Sequence, residues 1–180
     1  MGLNIHTLIH PIIQKLAYEI IYQKTQSTDN EKTLGMLIFY ETLRKWLKID
    51  NIYVKKVDAL KESYFSNQLD KYLIITNIIE CYNFLGEVER ILPQSCVKHI
   101  EFYKADEISK YSQKLKEHKI IIFEKFLKNY EIINIINYLY KHKITNLNHV
   151  KIICVTCNQN ILKYIAQKYP QLNIYTTKII

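Results

Sequence analysis

The segment 120–140, IIIFEKFLKNYEIINIINYLY, constrains the fold more than any other stretch of this chain. It opens as an apolar run of strand length, makes one polar turn, and continues with apolar residues at helical spacing. The same rhythm runs through the second half of the chain. Strands are expected at 71–77, 97–103, 119–124, 149–156 and 172–177, with helices at 80–92, 126–142 and 158–169 between them. Strands that are apolar throughout, alternating with helices, predict a mostly parallel sheet covered on both faces and joined by right-handed crossovers.

The first fifty residues have a different rhythm. Residues 10–23 place Ile13, Leu16, Ala17, Ile20 and Ile21 on one helical face, with Pro11 in the first turn, where it is tolerated. Thr28 and Glu31 form a capping-box pattern that starts a second helix running to about Lys48. A short strand is expected at 51–57. The organisation that follows is one domain over 1–180, with a helical cap over 1–50 and an α/β core over 70–180. The cap helices carry Phe39, Tyr40 and Trp46, more apolar surface than one buried stripe needs, so a homo-oligomer is expected.

Charge matters for the choice of partner. The net charge is +8, but nearly all of it comes from Lys, the arginines being Arg44 and Arg90. Arginine reads base edges and grips phosphate with two parallel hydrogen bonds, so RNA is not the favoured partner despite the basic balance and the 15 tyrosines. The excess of Ile, Lys, Asn and Tyr over Gly, Ala, Pro and Arg matches AT-rich codons and points to an organelle or endosymbiont genome. No apolar run reaches the length of a membrane span, and no membrane association is expected. Cys81, Cys96, Cys154 and Cys157 read as free thiols of a reducing compartment, the CxxC pair as small buried residues near a strand end.

The order of motifs resembles the uracil phosphoribosyltransferase family. His10-Pro11 resembles that family's HPL opening, and GMLIFYETLR matches its second helix at Gly35, Tyr40, Glu41 and Arg44. YLIITNIIECYNFLGEVERILP follows the strand and helix around the family's PILRAG motif, down to Pro93. HIEFYKADE keeps Tyr103 and Glu107 of a YR.E pattern, with Lys104 in place of the arginine. Tyr111 to Leu115 match a short family segment. Toward the end, Lys151, Pro170, Tyr175 and Thr176 sit in matching places. The resemblance implies a phosphoribosyltransferase-like fold: a mostly parallel sheet with helices on both faces and an N-terminal helical cap.

It also implies a site for phosphoribosyl pyrophosphate in the turn after strand 119–124, where the family has an acidic residue followed by a TGG sequence. Glycines there let backbone N–H groups approach a phosphate. Here Glu124 keeps the acidic position, but Asn129, Tyr130 and Glu131 replace Thr, Gly and Gly. Glu131 brings negative charge and Tyr130 is expected to fill the phosphate space. Ile79 stands where the family has the arginine of PILRAG. The segment by which the family recognises uracil would follow Ile180. Lys125 and Lys128, flanked by Glu124 and Glu131, read as a solvated face.

The degenerate positions for phosphoribosyl pyrophosphate are thus Ile79, Lys104, Glu124, Lys125, Lys128, Asn129, Tyr130 and Glu131. They imply a uracil phosphoribosyltransferase homologue without catalytic activity, residing in a plastid stroma, or in another AT-rich organelle or an endosymbiont cytoplasm, with no metal ligands and no cofactor. The alternatives are an RNA-binding regulator on the same fold, or a residual transferase making uridine monophosphate with Mg2+.

Overall fold

The computed structural model describes residues 2–23, 27–44, 46–47, 49–55, 60–66, 71–101, 105–142 and 146–180. Strand β1 (Asn4–Thr7) leads into helix α1 (Pro11–Tyr18), which loosens into a π-helical turn over Glu19–Gln23. Helix α2 (Thr28–Leu43) follows. A hairpin of β2 (Ile49–Lys55) and β3 (Leu60–Ser66) precedes the α/β part. There the order is β4 (Tyr72–Thr76), α3 (Ile78–Leu85), α4 (Val88–Ile91), β5 (Ser95–His99), α5 (Ser112–Glu117), β6 (Lys119–Leu127), α6 (Glu131–Lys141), β7 (Val150–Cys157), α7 (Gln159–Lys168) and β8 (Asn173–Ile179). Two 3-10 turns, Ala105–Tyr111 and Leu147–His149, precede α5 and β7.

Six strands form one sheet in the order β1-β8-β7-β6-β4-β5, and every pairing in it is parallel. The hairpin is a separate antiparallel sheet. Alternation along the central strands divides the core in two. Ile121 and Phe123 face α1, α2 and α3, where Phe39 and Phe84 pack on the Phe123 ring with centroids 5.4 and 5.7 Å away. Ile120 and Ile122 face α6 and α7, a layer built largely from isoleucine. The parallel sheet with helices on both faces and an N-terminal helical cap is the architecture expected from the sequence.

Glycine decides one packing distance. A Cβ added at Gly35 would lie 2.0 Å from the Phe84 carbonyl oxygen, so α2 and α3 touch backbone to backbone only because this residue has no side chain.

Several boundaries differ from the expected ones. The α2 N-cap is Ser27, whose hydroxyl accepts from the Asn30 amide at 3.4 Å, rather than Thr28. Glu31 makes no capping box, because its carboxylate turns inward to Lys125 and Asn83. Strand β6 runs on to Leu127 instead of giving way to helix at 126, because Phe126 and Leu127 stay in register with Thr156 and Cys157. The strand expected at 97–103 lies at Ser95–His99; Tyr103 falls outside the described residues, as does Lys104. Strand β1 was not expected: four residues are too few to show a period, and its pairing with β8 is a tertiary event. Nor was β3. Phe39 is fully buried and Trp46 packs against the core, so of the three cap aromatics Tyr40 alone is exposed.

Candidate functional site

The chain places β5 on one side of β4 and β6 on the other, so the carboxyl ends of β4 and β6 flank a point where the strand order reverses. Open α/β sheets bind ligands in such crevices. A cleft of about 450 Å³ lies there, lined by Asn77, Glu80 and Cys81 after β4, Glu101 after β5, and Glu124, Phe126, Lys128, Asn129 and Glu131 around the end of β6.

Two helices point their N-termini toward this cleft, which would ordinarily suit an anion. The first is already occupied, and the second carries a carboxylate of its own. At α3, the Ile79 amide donates to Asn77 Oδ1 at 3.2 Å and the Ile78 amide to His99 Nδ1 at 3.1 Å. The Asn77 side chain in turn donates to Glu80 Oε1 at 3.2 Å, holding a carboxylate over the same turn. At α6, Tyr130 provides no side-chain cap, and Glu131 puts its negative charge in the first turn.

The electrostatics follow from this crowding. Among the described residues, four carboxyl groups line the cleft against the one ammonium of Lys128. Burial, with the charges of Glu131 and Glu80 beside it, pushes the Glu124 carboxyl up to about 8, so it keeps its proton at neutral pH. Burial likewise pushes the Cys81 thiol up, so it is no ready thiolate nucleophile.

The remaining candidate residues separate into three groups. Glu124, Lys128, Asn129 and Glu131 meet in the cleft. Ile79 is 81% exposed and does not line it. Tyr130 does not fill the cleft as expected: its ring lies edge-on to Tyr164 of α7 with centroids 5.6 Å apart. Lys125 is the clearest correction. Rather than lying on a solvated face, it is largely buried, ion-paired with Glu31, with its ammonium 5.2 Å from the Phe84 ring centroid and 5.4 Å from that of Phe126. The residue before it on the strand points to the cleft, and alternation sends Lys125 the other way. Sequence reasoning missed Asn77, Glu80 and Glu101. The spacing Asn77-x-x-Glu80 at the start of a helix was a readable signal for the first two.

A relative from Porphyra purpurea, named uracil phosphoribosyltransferase homolog, is 32% identical over 99% of this chain and 89% of its own length. The chain belongs to the uracil phosphoribosyltransferase family. A second relative of the same name, from Pyropia yezoensis, is 30% identical over the same shares. No family model matches. Among solved structures, the AQ2163 protein from Aquifex aeolicus has the same fold, with a TM-score of 0.69 at 17% identity over 97% of this chain and 86% of that one. Family membership makes the strand-reversal cleft the place to look for the family's chemistry.

Proposed function

We propose that this protein is a non-catalytic member of the uracil phosphoribosyltransferase family, whose cleft no longer holds phosphoribosyl pyrophosphate. The observation that carries this reading is the cleft itself: the α3 N-terminus facing it is taken up by the protein's own groups, Glu131 sits in the first turn of α6, and among the described lining residues four carboxyl groups stand against one ammonium. A substrate bearing several phosphates meets repulsion where it needs backbone donors and positive charge. Ile79 offers no cation in the position the family gives to arginine, and Lys125 is engaged by Glu31.

Purified protein supplied with phosphoribosyl pyrophosphate, Mg2+ and uracil is expected to form no uridine monophosphate above background. Turnover that saturates with uracil would overturn the reading. In this reading the protein needs no cofactor, Mg2+ being relevant only to a residual transferase.

A plastid location is compatible with the AT-rich residue usage and with relatives from red algae. A homo-oligomer is supported by Ile12, Tyr18 and Tyr40, each more than half exposed on the helical cap. No helix among the described residues is long and apolar enough to cross a membrane.

A further inference from the structure

We propose a second binding site, for a small oxyanion such as phosphate or a carboxylate, in the cavity between β1 and the C-terminal end of α2. The cavity measures about 360 Å³. It lies at the far end of α2 from the cleft: Glu31 near the start of the helix reaches Lys125 at the carboxyl end of β6, whereas Thr42 near its end meets Lys151 at the start of β7. Family chemistry at the strand-reversal point therefore does not account for it.

Two features converge on an oxyanion. Thr42 is 1% exposed and forms part of the cavity wall. The Thr42 residue is held firmly, because the buried Lys151 ammonium donates to its carbonyl from behind.

Arg44 supplies the charge. Among the described residues its guanidinium meets one carboxylate, Glu41, at 3.8 Å, and the arginine side chain is 65% exposed. An exposed contact of that length contributes little. Turning the guanidinium to an oxyanion in the cavity would replace it with a bidentate, charge-assisted pair.

The imidazoles are the second feature. His6 and His10 both line the cavity, and His6 is fixed by stacking on Tyr175 with centroids 4.5 Å apart and planes 18° apart. Both can donate ring N–H groups. Among the described lining residues Glu41 is the one opposing carboxylate, and its pairing with Arg44 gives the site a resting state.

Calorimetric titration of the full chain with inorganic phosphate, and separately with acetate, tests this at neutral pH and constant ionic strength. Saturable binding is expected for at least one, and whichever binds tells phosphate from carboxylate chemistry. Arg44→Ala should weaken it about tenfold or more, as loss of a hydrogen bond to a charged group does. Lys128→Ala, in the other cleft, should leave it unchanged. Absence of saturable binding to both anions, or binding kept in Arg44→Ala, would overturn the proposal. If Arg44→Ala fails to fold, the imidazole NMR signals of His6 and His10 in the unsubstituted chain decide it: saturable shifts with either anion support the site, and none refutes it. The outcome is independent of whether the chain makes uridine monophosphate.

Discussion

Lys125 of β6 and Glu31 of α2 form a largely buried ion pair that ties the helical cap to the end of the central strand. Asn83 of α3 donates to the second Glu31 oxygen at 2.8 Å, so three elements meet on one carboxylate. A lysine beside the family's substrate loop thereby serves the packing of this chain and not its cleft.

The pair is testable by a double-mutant cycle. Lys125→Met should destabilise the protein by about 2 kcal/mol, less than the 3–5 kcal/mol typical of a wholly buried pair, because Asn83 still serves Glu31. Lys125→Met combined with Glu31→Gln should recover part of that loss. Urea unfolding of the four proteins measures the coupling. Additive effects would mean that the two residues act separately.

Gly35→Ala should cost about 3 kcal/mol, because the new methyl meets the Phe84 backbone and one helix must move. Gly86→Ala is a control, since a Cβ there meets nothing closer than 3.5 Å. Thermal unfolding should separate the two clearly, and equal losses would refute the close-contact account.

The pH dependence of stability should carry the mark of Glu124. Its carboxyl is raised to about 8 in the folded state, above the value near 4.5 of an unstrained glutamate. Between those values the folded state binds more protons than the unfolded one, so its contribution to stability is complete below about pH 4.5 and is lost as pH rises toward 8. Glu124→Gln should flatten that decline, by an amount on the order of a few kcal/mol over the window. Denaturation curves from pH 5 to 9 would show it. Identical slopes in the two proteins would place the titrating group elsewhere.

Replacing Asn129-Tyr130-Glu131 with Thr-Gly-Gly should not by itself restore binding of phosphoribosyl pyrophosphate, because Glu80 and Glu101 still line the cleft and α3 keeps its own cap. Adding Ile79→Arg and Glu80→Ala should improve binding further, as donors and positive charge are restored together. Equilibrium binding of the ligand with Mg2+ distinguishes the two variants. Full recovery by the loop change alone would mean that the acidic lining is not the barrier.

The sequence by itself determined the strand-and-helix rhythm of residues 71–177, the two cap helices, and the identity of the substituted turn at 129–131. Those features are local: apolar runs, periodicity and the absence of glycine can be read without knowing any neighbour. The resemblance in motif order carried the family. Tertiary structure alone decided that β1 pairs with β8, that the strand turns at Lys128 and not earlier, and that Tyr130 leans on Tyr164 instead of into the cleft. It alone decided the fate of the charges. Whether a lysine is solvated or paired depends on which residue the fold brings to it, and Glu31 lies 94 positions from Lys125 along the chain. The same holds for the carboxyl groups: Glu80, Glu101, Glu124 and Glu131 are scattered in sequence, and only the parallel sheet, by setting the ends of β4, β5 and β6 side by side, gathers them around one cleft.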